Sequence, residues 1–147
     1  MYTNHPSPPV SRTATWPLDG RRGTPARARE LAGAFLDRCS SPLADAGRAD
    51  ILLALSELVT NAVRHAPGAC TLTLTEHADS LTVAVRDGST SAPRPRLPDL
   101  TAGTGGFGWH LLHSLAKEVA VHLHRDGKTV AARVPARRAA AGAAPTR

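Results

Sequence analysis

The sequence predicts an α+β protein, a two-layer sandwich whose mixed, mainly antiparallel sheet carries its helices on one face. Two observations carry that expectation. Each strand-like segment alternates apolar and polar residues, so each has one face to bury. The connections between most neighbouring strands are tight turns, which favours hairpins over βαβ crossovers. The chain is 147 residues long with 41% hydrophobic and 20% charged residues, enough for one core and one domain. No internal repeat is present.

The elements follow in order. Ala14, Trp16 and Leu18 alternate with Thr13 and Thr15 as a short first strand, which Pro17 confines to a sheet edge. Thr24-Pro25 reads as an N-cap and a first-turn proline, and Ala28, Leu31, Ala32, Phe35 and Leu36 then recur at helical spacing to about Cys39. A second helix is expected over 46–65. Its Ile51, Leu52, Leu55, Leu58, Val59, Ala62 and Val63 fill one arc of the helical wheel, and Pro67-Gly68 ends it. Cys70, Leu72 and Leu74 share one strand face and Leu81, Val83 and Val85 another, with the turn at 77–80 making a hairpin. Residues 88–105 form a long Pro/Gly/Ser-rich loop, of a length that is usually either functional or disordered. A third helix over 108–117 carries Leu111, Leu112 and Leu115. A second hairpin pairs Val119, Val121 and Leu123 with Val130, Ala132 and Val134 around Asp126-Gly127. The order is β-α-α-β-β-loop-α-β-β. The folded domain is expected over 12–134, between a disordered arm at 1–11 and a disordered basic tail at 135–147.

Composition narrows the function. The net charge is +6, but residues 1–38 carry six arginines against three acids, and 133–147 carry four arginines and no acid. The middle holds eight basic and nine acidic residues, so the basicity is peripheral. With aromatics at 3% there are few platforms for stacking bases, and nucleic acid is not the expected partner. Two cysteines, Cys39 and Cys70, exclude a disulfide framework and a multi-Cys zinc site, and both fall on apolar faces as packed thiols. No apolar run approaches the roughly 18–20 residues of a membrane span. The N-terminal residues have no signal-peptide pattern, and the chain reads as cytoplasmic.

Three signals could carry chemistry. Glu57 and Asn61 lie one turn apart on one face of the second helix, away from its apolar arc. That face is either a solvated surface or the wall of a cleft, where the carboxylate could orient or deprotonate a nucleophile and the amide oxygen ligate a hard cation. Asp87 ends a strand and precedes Gly88-Ser89-Thr90. It is either an ordinary Asp-Gly turn or a carboxylate placed to accept from an exocyclic amine. Gly103-Thr104-Gly105-Gly106-Phe107-Gly108 leads into a helix, where glycines allow close approach and unpaired N–H groups suit phosphate. It matches neither the P-loop nor the dinucleotide fingerprint. The pairs His110/His113 and His122/His124 have no acidic or Cys companions, so they do not suggest a metal site. Nor does any G-x-S-x-G motif suggest a hydrolase.

In this order the three signals resemble the nucleotide motifs of the GHKL ATP-binding superfamily, which includes gyrase, heat-shock chaperone, histidine kinase and mismatch-repair types. Glu57-Leu-Val-Thr-Asn61-Ala-Val-Arg-His65-Ala resembles the N box, Asp87-Gly88-Ser89 the first glycine box, and Gly103 to Leu112 the second. The resemblance spans 12–134. Its spacing is most similar to the stand-alone RsbW/SpoIIAB-like anti-sigma-factor serine kinases. It implies a Bergerat fold that binds ATP and Mg2+. Asn61 would be the metal ligand, Glu57 the general base or water-orienting residue, and Asp87 the reader of the adenine amino group. Gly103, Gly105, Gly106 and Gly108 would bind the phosphates. The implied partners are a sigma factor, an anti-sigma antagonist phosphorylated on serine, and a second copy of the chain. Three departures stand out: Ser89 replaces the usual second glycine of the first box, the lid is short and carries Pro93, Pro95 and Pro98, and Phe107 stands where relatives often have a basic residue. The competing expectations are a partner-binding module that works without nucleotide and an ATPase that transfers nothing to protein.

Overall fold

The computed structural model describes residues 10–39, 41–66, 68–90 and 107–139. The strands are β1 (Val10–Leu18), β2 (Cys70–His77), β3 (Ser80–Asp87), β4 (Glu118–His124) and β5 (Gly127–Pro135). The helices are α1 (Thr24–Asp37), α2 (Asp45–His65) and α3 (Phe107–Leu115). The sheet order is β1-β2-β3-β5-β4, and every pairing is antiparallel, so the expected mixed component is absent among the described strands. The physical cause lies in the last connection. The chain passes through α3 to the far edge as β4, and a hairpin then returns β5 between β4 and β3.

All three helices contribute to one layer against one sheet face. The core joins Ala28, Ala32, Phe35 and Leu36 of α1 with Ile51, Leu55, Leu58 and Val59 of α2 and Leu112 of α3. Opposite them lie Leu72 and Leu74, Leu81, Val83 and Val85, and Val130, Ala132 and Val134, the alternation expected of a half-buried sheet. The edges are less covered. Thr13, Thr15 and Pro17 of β1 are exposed on the outer face, and Val121 and Leu123 of β4 are exposed on the helix side. The α1 cap differs from expectation: Gly23, at φ 95°, precedes the first turn, and no side chain caps it. The Thr24 hydroxyl instead turns back to the Arg21 carbonyl at 2.5 Å, with Asp19 Oδ1 at 3.2 Å, and the left-handed position falls to Gly23, which has no Cβ.

The expected tail at 135–147 starts inside the fold. Pro135 belongs to β5, and the next residues seat against the α1–α2 connection, with Ala44 N–H donating to the Arg137 carbonyl and Ala139 N–H to that of Pro42. A Cβ on Gly47 would stand 2.9 Å from the Arg137 carbonyl oxygen, so this close approach requires glycine. Arg138 reaches further in. It donates to the Ser41 and His77 carbonyls and to Glu76 Oε2 at 3.3 Å, while Arg12 donates to Glu76 Oε1 at 3.1 Å. Glu76 is fully buried, and the two guanidiniums supply its charge balance. Arg12 also lies 3.9 Å over the Phe35 ring, tying β1 to α1. At the ends of the chain, residues 140–147 and 1–9 lie outside the described residues, and β1 takes in two positions of the expected arm.

Arg138→Ala removes one of the two cations from a buried carboxylate. It is expected to cost about 1–3 kcal/mol in urea unfolding, whereas a loose tail would give no change.

Candidate functional site

The α2 face that carries Glu57 and Asn61 is not a solvated surface. Both residues are half-buried, while Arg64 and His65 one turn on are exposed. The cause is α3, which packs against α2. Its first turn brings Gly108 against the Glu57 side chain, so closely that a Cβ there would stand 2.1 Å from Oε2. The carboxylate therefore lies beside the N-terminal turn of α3, where main-chain N–H groups have no partner within the helix and a positive partial charge gathers. Asn61 lies one turn along α2 on the same side, about 6 Å on at 1.5 Å rise per residue. A carboxylate, a carboxamide and a helix N-terminus thus line one wall.

Asp87 lies at the end of β3, nearly enclosed. Its Oδ1 accepts the Ser89 N–H at 2.8 Å, the Asp-turn bond expected of Asp-Gly-Ser. Its charge is met by a residue the sequence reading left out. Lys128, its register partner on β5, donates Nζ to Oδ1 at 3.0 Å and to Oδ2 at 2.9 Å. The two side chains are only 3% and 6% exposed. Gly127 lets the β4–β5 turn approach: a Cβ there would meet the Asp87 carbonyl oxygen at 2.0 Å. Cys70 sits at the same end of β2, and its thiol is pushed up by burial, with the Asp87 and Asp19 carboxylates adding to the effect.

Of the predicted site residues, the structure brings Glu57 and Gly108 together and places Asn61 on their wall. Asp87 appears in a buried ion pair. Gly103, Gly105 and Gly106 lie outside the described residues. One histidine of each pair has another partner: His113 packs edge-on to Trp109 at 4.8 Å, and His124 Nε2 hydrogen-bonds Thr129 Oγ1 at 2.8 Å. Among the described residues no cluster of three His, Cys, Asp or Glu is placed to hold a metal, and no helix is long and apolar enough to cross a membrane.

The fold is thus an α+β sandwich, an antiparallel sheet with helices on one face, in which a carboxylate and a carboxamide lie beside a helix N-terminus. The chain belongs to the histidine kinase-like ATPase domain family, whose sequence profile matches residues 22–134. Among solved structures it is similar to the RsbU and RsbW domains of Rv1364c from Mycobacterium tuberculosis, with a TM-score of 0.59 at 19% identity. That match covers 88% of this chain and 35% of the other, so this chain spans about a third of its neighbour's length. At that identity the likeness concerns the fold. No curated protein is significantly similar in sequence.

The donor set suits a nucleoside triphosphate with a hard cation on its α2–α3 side. Asn61 offers a neutral oxygen ligand, and the Glu57 carboxylate one turn away is held where a Cβ at position 108 would stand. At the strand end the fit is altered, because Lys128 already occupies the carboxylate.

Gly108→Ala tests this crowding. The atom it meets is the far end of a flexible side chain, so the fold is expected to hold, with a melting temperature no lower than the parent's. Phosphate transfer is expected to fall by at least about tenfold as Glu57 is pushed off its position, while nucleotide binding in calorimetric titration stays within about threefold of the parent's.

Proposed function

We propose that this chain is an ATP- and Mg2+-binding regulatory kinase, similar to the stand-alone anti-sigma-factor kinases. It would phosphorylate a serine on a small antagonist protein and bind a sigma factor in the alternative complex. The observation that supports this most is the Glu57 carboxylate held beside the N-terminal turn of α3, with Asn61 on the same wall. ATP supplies the phosphoryl group when bound, and Mg2+ neutralises charge on the phosphates.

The chain's residues have distinct tasks. The Asn61 amide oxygen is a hard, neutral donor for the cation. Glu57 takes the proton of the attacking serine hydroxyl, or of water where no antagonist is present. The first N–H groups of α3 would face the phosphates, Gly108 leaves room for the Glu57 carboxylate beside them, and Gly103, Gly105 and Gly106 would extend that cradle. Asp87 faces the base. Positioning and charge neutralisation carry such a transfer, with little covalent work left for the protein.

Two substitutions separate the roles. Asn61→Ala is expected to abolish Mg2+-dependent binding of a non-hydrolysable ATP analogue in calorimetry, while leaving thermal unfolding within about 0.5 kcal/mol of the parent. Glu57→Gln is expected to keep that binding and lower phosphate transfer by about 10²–10⁴-fold, followed with γ-labelled ATP and candidate antagonists. Label released as phosphate with none on protein would mark an ATPase instead. Loss of folding in Glu57→Gln would make Glu57 structural and end the catalytic assignment.

A further inference from the structure

The Asp87–Lys128 pair changes what the strand end can recognise. A carboxylate reads an adenine by accepting from its 6-amino group, a nitrogen donor about 2.9 Å away. Here a nitrogen donor already stands there: Lys128 Nζ lies 3.0 Å from Oδ1 and 2.9 Å from Oδ2. Oδ1 also holds the Ser89 N–H at 2.8 Å, so its two lone pairs are taken. The pair cannot open cheaply. Both side chains are almost fully enclosed, and separating them would leave two buried charges without partners. An ammonium has three N–H donors, and the carboxylate engages two of them. Among the described residues Lys128 Nζ donates to Asp87, which leaves its third N–H to offer.

The strand end therefore presents one donor, the remaining Lys128 N–H, beside one acceptor, the open lone pair of Oδ2, where an unpaired aspartate would present acceptors alone. We infer that this site does not select adenine by its 6-amino group, and that it accepts 6-oxopurine nucleotides at least as well as ATP. The 6-oxygen accepts the remaining Lys128 N–H, while the protonated ring nitrogen beside it is a donor for the open lone pair of Oδ2. Lys128 is then a specificity-determining residue. The inference rests on the nucleotide-site reading above, which supplies the location of the base.

Inosine triphosphate isolates the 6-position, because it carries oxygen there and lacks the 2-amino group that would confuse a comparison with GTP. The intact chain is titrated calorimetrically with ATP and with inosine triphosphate, each with Mg2+. The expected result is that inosine triphosphate binds tighter than ATP, or weaker by no more than about threefold. ATP bound more than about threefold tighter overturns this inference and leaves the nucleotide-site reading intact. Binding of neither triphosphate overturns that reading, and the inference falls with it. Lys128→Thr frees one carboxylate oxygen and is expected to shift the affinity ratio toward ATP by at least about tenfold. An unchanged ratio in folded Lys128→Thr counts against the assignment. If that variant fails to fold by circular dichroism, the ratio measured on the parent chain still decides.

Discussion

A sheet covered on one face has a hydrophobic middle and two ends where strands run out toward water, and in this protein both ends carry a buried charge on the covered face. Glu76 continues the inward face of β2 beyond Leu74, and Asp87 continues that of β3 beyond Val85. Because β2 and β3 are antiparallel, the two carboxylates fall at opposite ends of the sheet. A carboxylate leaving water in this setting costs several kcal/mol unless a cation meets it. Much else follows from how each is met. At one end Arg12 reaches from β1 and Arg138 from beyond β5, so neutralising Glu76 ties the first strand and the segment after β5 to the sheet. At the other end the cation comes from the neighbouring strand itself, through the Asp87↔Lys128 register pair.

The two solutions leave the ends unlike each other. The Glu76 end is closed by chain: Arg138 also binds the Ser41 and His77 carbonyls, and Leu43 bridges to Arg138 across the α1–α2 connection. The Asp87 end needs no third segment to satisfy its charge. Among the described residues, the charge at one end is met by three segments of chain and at the other by two neighbouring strands. The asymmetry also places the basic residues of the C-terminal segment in context, since Arg138 serves an internal carboxylate and is spent on stability.

Much of this was legible in the sequence. The alternation of Cys70, Leu72 and Leu74, and of Leu81, Val83 and Val85, fixes two strands and their buried faces. The helical arc of Ile51, Leu55, Leu58 and Val59 does the same for α2. The Glu57/Asn61 face was ambiguous for a physical reason: a helix wheel shows where the apolar arc is, but not that α3 returns from far along the chain to cover the opposite side. The missed residues had a signal in the same alternation. Glu76 follows Leu74 by two positions and Lys128 precedes Val130 by two, so each falls on a core face, where a charge requires a partner. The rule marks them as buried charges. It cannot pair them, because Arg138 lies 62 residues from Glu76 and Lys128 lies 41 from Asp87. The α1 cap was misplaced by one residue because Gly23 and Thr24 both suit a cap, and backbone handedness decided between them.

The site divides along the same line as the fold. Its α2–α3 wall is made by helices, with Glu57 and Asn61 on one and Gly108 on the other, and its geometry depends on how α3 seats against α2. Its strand end is made by β3 and β5, whose register fixes Asp87 opposite Lys128 without reference to either helix. The two parts therefore rest on separate packing, and a change at one need not disturb the other. A substitution of a single inward residue on β5 could alter what the strand end recognises, while Glu57, Asn61 and Gly108 kept their arrangement. On the proposed reading, the helix-borne part of the site and its strand end are held by separate packing, and Lys128 belongs to the second part alone.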